Sequence, residues 1–354
     1  MCGAVGLFMG CNTSIIDCPL TRIRRSSATE PVGKDVTISD IRYKSAFSSW
    51  DSKSSVRSQP NLVGGNEELS GILFPESSIP ILSHARLRTS SSGIRHKVSL
   101  RHLERYLKFT LVLETDFVNP VILEIARGRD GLRMPSSARQ DAYKMYVDEA
   151  YHAKFTYDLL LLLEANEKVN SSVLETPSFV TKFNEILRAA DDSIHRHLTF
   201  LFVIISEMLI TGTLNELPRR NDVAAPIRIA IQQHALDEAR HHAFFSFYFK
   251  EYWKSLPKTH KKLLSLDLPA LINCFLEPEI ISLHAELTSY GFTTQLANEI
   301  LSETFMSDRI LTDKIRATRP IMNVIRKLGI LDDPLVVEDF VAAGLVEVDA
   351  SVVD

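Results

Sequence analysis

The 354-residue chain reads as all-α, a four-helix bundle with additional helices around it. Three observations point that way. No strand-rich block occurs, while apolar residues recur at helical spacing from about residue 102 to residue 331. The pentapeptide Asp-Glu-Ala-x-His occurs twice, as Asp148–Glu149–Ala150–Tyr151–His152 and as Asp237–Glu238–Ala239–Arg240–His241. Each copy sets a Glu and a His three residues apart, on one helix face. The second copy is extended upstream by His234, so His234, Glu238 and His241 share a stripe at i, i+4 and i+7. One Glu-x-x-His pair is an ordinary surface feature. Two of them on apolar helices are what a bundle uses to hold a pair of metal ions, with one further carboxylate from each of two more helices.

The totals are those of a globular chain with ample core, 45% hydrophobic and 24% charged. A net charge of −4 leaves no basic footprint, so nucleic acid is not an expected partner. Cys2, Cys11 and Cys18 fit neither a zinc site nor a disulfide framework, and a reducing cytoplasm is expected. The apolar start Met1–Cys11 has no Lys or Arg ahead of it, as a secretory signal would.

Three regions are expected: an irregular, Ser-rich segment over 1–95, a helical domain over 96–331 and an acidic tail over 332–354. Clusters such as Ser48–Ser49 and Ser90 to Ser92 make the first of these loop, partly disordered. Helical character begins near His102. Leu103, Leu107, Leu111, Glu114, Val118 and Ile122 form one stripe up to Gly128, with a kink or restart at Pro120. Ser136–Ser137 caps a helix over 137–168, and Pro177 opens a shorter one. Residues 191–216 are the most apolar helix. Its stretch 198–214 is short for a membrane span and places Glu207 near the middle, so a core helix with one inward carboxylate is expected. Asn221–Asp222 caps the helix 223–256. Three or four more helices follow over 264–331, punctuated by Pro278, Gly291, Pro320 and Gly329, and the tail reads as a solvated end.

Glu114 and Glu207 are the carboxylates that apolar neighbours nominate on the two remaining long helices. A lone charge in such surroundings must be neutral, paired or metal-bound. Glu124 rivals Glu114 but has Arg127 and Arg129 within salt-bridge reach. The candidate ligands are thus Glu114, Glu149, His152, Glu207, His234, Glu238 and His241. Four carboxylates and three imidazoles suit iron or manganese, not structural zinc. Four glutamates also balance two divalent ions. Asp148 and Asp237 are candidate acceptors for the outer N–H of ligand histidines, and Arg240 a partner for one of them. His242 points away from His241 and is not expected as a ligand, and His195 and His197 fall on different faces and are read as structural or exposed.

The order and spacing of Glu114, Glu149-x-x-His152, Glu207 and His234-x-x-x-Glu238-x-x-His241 resemble the di-iron N-oxygenases of the p-aminobenzoate N-oxygenase (AurF-like) type. His234 sets the pattern apart from ribonucleotide reductase, methane monooxygenase and ferritin, which usually carry two histidines. The resemblance covers about residues 100–320. It implies a ferritin-like four-helix di-iron core with additional helices, usually in a homodimer. It further implies use of O2 and two electrons per cycle from an external donor. A primary amine would be oxidised through hydroxylamine, and nitroso, to nitro in specialised-metabolite biosynthesis. Thr110, Phe117, Val118, Met145, Tyr146, Val203, Thr211 and Ile231 lie one turn from the ligands on the same faces. They make a mostly apolar pocket with a few hydroxyls, suited to an arylamine or an amino acid, free or tethered to a carrier protein. No Arg or Lys stands among them to clamp a carboxylate, though Arg316 or Arg319 could supply one. The alternatives are a di-metal hydroxylase or desaturase acting on C–H bonds, and an iron-binding bundle without turnover. His234 argues against the first, and helices beyond the bundle argue against the second.

Overall fold

The computed structural model describes residues 41–59, 61–64, 68–168, 176–213 and 217–346, leaving out the side chains of 210–213 and 218. The elements below belong to one compact unit. Among the described residues there is no strand, only an isolated parallel bridge between Ile72 and Val223. No described helix is long and apolar enough to cross a membrane.

Short turns come first: α1 (Trp50–Lys53), α2 (Ser55–Ser58) and α3 (Ala85–Arg88). The next elements build the bundle. Helix α4 (Ser92–Val112) passes through a π-helical turn (Leu113–Val118) into α5 (Asn119–Ala126), followed by α6 (Ser136–Glu167). After α7 (Ser178–Ala189) come α8 (His195–Thr213) and α9 (Ala225–Ser255). Helix α6 packs on α4, α5 and α9, and α8 packs on α9, which closes the four-helix core. Outer helices complete the unit: α10 (Lys258–Leu276), α11 (Ile280–Ser289), α12 (Thr294–Phe305), α13 (Asp308–Lys327) and α14 (Pro334–Ala342).

The core is two apolar clusters separated by a polar band. On α6, Met145 belongs to one cluster and Phe155 to the other, with Glu149 and His152 between them. On α9, Ile231 and Phe244 are divided in the same way by His234, Glu238 and His241, in the opposite order along the chain. The two helices thus run antiparallel and bring their Glu/His stretches level.

Several boundaries differ from expectation. Helix α4 starts at Ser92, capped by the Ser91 hydroxyl, which accepts from the Ile94 N–H at 3.3 Å. Its buried face includes Ser99, Glu104 and Thr110, polar residues that hide the helical period. Pro120 lies in the first turn of α5, directly after the π-helical turn, so the interruption of the hydrogen-bond ladder is taken up there. Asn221–Asp222 does not cap α9, which begins after Ala224 with Pro226 in its first turn. The Asp222 carbonyl instead accepts the Ile72 N–H at 2.9 Å. Helix α13 runs through Pro320 without a break. Residues from 332 to 346, expected as part of a solvated end, fold back on the core and bury Val336, Phe340 and Leu345. Their period is only one turn long and is interrupted by Glu338 and Asp339. Residues 41–91 bury Phe47, Leu73, Ile79, Ile81 and Leu87 despite their Ser-rich composition. The N-terminal cysteines lie outside the described residues.

Candidate metal centre

All seven candidate ligands are buried, none more than 1% exposed. Glu114 projects from the π turn, Glu149 and His152 from α6, Glu207 from α8, and His234, Glu238 and His241 from α9. Ligand atoms of Glu149, His152, Glu238 and His241 lie within 4.8 Å of one another, as do those of Glu114, His152 and His234. Glu207 joins neither set, but its Oε2 is 3.8 Å from His241 Nδ1. His234 Nε2 lies 3.2 Å from both Glu114 Oε1 and Glu238 Oε1.

The fit to metal rests on atoms without partners. Both carboxylate oxygens of Glu114, Glu149 and Glu238, Glu207 Oε2, His152 Nδ1, His234 Nε2 and His241 Nδ1 are buried and make no hydrogen bond. His241 Nδ1 and Glu149 Oε1 are only 2.6 Å apart yet not aligned as donor and acceptor. Buried donor atoms gathered this closely without hydrogen-bond partners are arranged as ligands are.

Electrostatics agrees. Burial pushes the Glu114 carboxyl up to about 7, against the pull of His234. Burial also holds Glu207 well above the usual carboxylate range, reinforced by Glu238 and Glu149. Glu149 and Glu238 suffer the same burial, but His241 together with His152 or His234 outweighs it, and both fall below that range. Burial and the His152 charge oppose protonation of His234, yet Glu114 and Glu238 raise it to about 9. His152 and His241 also rise well above the ordinary range because nearby carboxylates overcome their burial. Without metal, the cluster neutralises itself by sharing protons.

The sequence profile described as p-aminobenzoate N-oxygenase AurF matches residues 55–329. The chain belongs to the AurF family. This is a ferritin-like di-iron family of N-oxygenases, and the all-α bundle is its fold. No curated protein matches the chain. The AurF match begins at Ser55, inside the segment that sequence alone left without a role.

That segment reaches the candidate ligands. His241 Nε2 is 3.3 Å from Asp148 Oδ2, and His152 Nε2 is 3.1 Å from Asp237 Oδ2, so each aspartate serves the histidine of the opposite helix. Arg240 pairs closely with Asp237 and stands 3.8 Å from Asp148. The Trp50 indole N–H donates to Asp148 Oδ1 at 2.8 Å. Ser55 donates to Asp237 through its backbone N–H, at 3.2 Å to Oδ2, and through its hydroxyl. Phe47 stacks on the His241 ring, with centroids 5.9 Å apart. Tyr43, Phe47 and Trp50 are spaced by four and three residues, a helix-like signal that the surrounding serines concealed.

Of the expected pocket residues, Thr110, Phe117 and Val203 are buried, Tyr146 is half-buried, and Thr211 lies outside the described side chains. Phe117 packs edge-on against Phe179, Phe183 and Phe202. Tyr106, which sequence reasoning missed, has a buried hydroxyl beside Thr110, and burial and Glu114 hold it in the neutral form. A cleft of about 680 Å³ between α4 and α11 is lined by none of these residues. Its charges pair locally, Glu104 with Lys108 at 2.8 Å and Arg105 with Glu286. Glu124 is 3.5 Å from Arg129 and 3.6 Å from Arg196, an ordinary ion-pair site. His197 bonds to the Tyr252 hydroxyl at 2.7 Å and His195 to the Ala190 carbonyl at 3.2 Å, away from the cluster.

Proposed function

We propose that this chain is an O2-dependent di-iron N-oxygenase that oxidises a primary amine, an arylamine or an amino acid, free or carrier-bound, to hydroxylamine, nitroso or nitro products in specialised metabolism. The observation that carries this reading is the buried set of three imidazoles and four carboxylates whose donor atoms gather without hydrogen-bond partners. Glu114, Glu149, His152, Glu207, His234, Glu238 and His241 would hold the two ions; iron is the metal of the family, and manganese suits the same donors. When bound, the iron pair supplies O2 activation, with two electrons per turnover from an external donor.

The chain's own residues do the rest. Asp148 and Asp237 accept from the outer nitrogens of His241 and His152 and so leave Nδ1 of each free for metal. The apolar clusters on either side of the band exclude water from the reacting amine. Thr110, Phe117, Tyr146, Val203 and Thr211 are proposed to contact that amine, and the enzyme to work as a homodimer in the cytoplasm. The test is metal content, then exposure of the reduced protein to O2 with a panel of arylamines and amino acids, products read by mass spectrometry. About two irons per chain and O2-dependent N-oxidation are expected. No iron, or iron that only oxidises and accumulates beyond two per chain, would sink the proposal.

A further inference from the structure

We propose that Trp50 and Ser55 are positioning residues for the metal centre, acting through Asp148 and Asp237; this rests on the metal-binding reading above. The imidazoles of His241 and His152 keep Nδ1 turned into the cluster only while Nε2 is held by a fixed acceptor. For His241 that acceptor is Asp148 and for His152 it is Asp237. An aspartate held on one oxygen alone still swings about its own side-chain torsion. The second oxygen of Asp148 is taken by the Trp50 indole at 2.8 Å. Asp237 is held by two donors of one residue, the N–H and hydroxyl of Ser55, together with Arg240.

Both outer donors come from one stretch of backbone. Trp50 opens α1 and Ser55 opens α2, so a single turn orients both aspartates. The turn is itself anchored along α6. Tyr43 donates to Asp141 at 2.8 Å, and Tyr43–Asp141 and Trp50–Asp148 share a separation of 98 residues. Ser54 and Ser55 are fully buried and Phe47 covers the His241 ring, so water does not compete for these acceptors. An indole N–H has one donor and no acceptor, which leaves no choice in the direction of its hydrogen bond. Trp50 and Ser55 thereby carry the order of the N-terminal turn into the orientation of His241 and His152.

Cobalt(II) is the probe, because its visible ligand-field bands report imidazole coordination and its binding requires neither O2 nor an amine. Full-length wild type, Trp50→Phe, Ser55→Ala and Ser55→Thr are titrated against a chelator, with metal-free helicity and unfolding midpoint recorded for each. Trp50→Phe and Ser55→Ala should each weaken cobalt(II) about ten- to a hundredfold and alter the band shape. Ser55→Thr, which keeps hydroxyl and N–H, should restore both. A lowered metal-free midpoint with affinity and bands unchanged would make these residues merely structural and overturn the proposal. If Trp50→Phe does not fold, the contrast between Ser55→Ala and Ser55→Thr decides. Wild type that binds no cobalt would overturn the metal-centre reading itself, whereas wild type that binds two ions beside unaffected variants overturns only the role of Trp50 and Ser55.

Discussion

Glu207 is the residue whose two possible states differ most. It is buried, it faces other carboxylates, and in the metal-free protein burial shifts it toward the protonated form. Glu207→Gln should therefore stabilise the metal-free protein, by up to about 1–3 kcal/mol, and weaken metal binding. Unfolding with and without added iron(II) checks both signs, and equal shifts in the two states would refute the idea. The histidines make a second prediction, in pH. His234 rises to about 9 from an ordinary 6.5, and Glu114 to about 7 from 4.5. Both folded values are raised, so the stability they give is complete below the ordinary values and is lost as pH climbs through the folded ones. The metal-free midpoint should fall between about pH 4.5 and 9, first through Glu114 and then through His234. Metal takes the same lone pairs and displaces the protons, so the loaded protein should be flatter across that range and its affinity should rise with pH.

At the scale of elements, the π turn Leu113–Val118 decides where Glu114 points. The Asn119 N–H reaches back to the Glu114 carbonyl, one residue farther than in an α-helix, and Pro120 follows with no N–H to offer. Inserting one alanine after the exposed Thr115 adds a residue that this single wide turn does not absorb, and should rotate Glu114 by about 100° relative to α5. A helical protein that holds fewer than two metal ions per chain is expected, by circular dichroism and metal analysis; full metal content would show that the turn is incidental. Helices of the bundle were legible because Glu149, His152, His234, Glu238 and His241 sit on long periodic stretches. The π turn was not, since Pro120 announces an interruption without saying of what kind. Nor were the contacts of Trp50 and Ser55. Their partners lie 98 and 182 residues away, and no local period encodes a tertiary contact at that distance. Caps failed for a related reason, with Pro226 serving in place of the expected Asn221–Asp222.

For the whole molecule, the arrangement is one polar band between two apolar clusters, closed at the far end of the sequence by α14. Phe340 is fully buried there. Phe340→Ala should cost about 3–5 kcal/mol in denaturant unfolding, and truncation after Asp332 should cost at least as much; a truncated chain of wild-type stability would show that α14 is dispensable. The turn that holds Asp148 and Asp237 has a different consequence, in time. Ser55 leaves the ribosome first, and its acceptor on α9 is made 182 residues later. At ordinary elongation rates that interval is roughly ten to forty seconds. For about the second half of it, the nascent chain carries Glu149 and His152 without their opposite helix. Metal captured then would meet half a site, so correct loading belongs after α9 is made, when Ser55 can at last dock on Asp237.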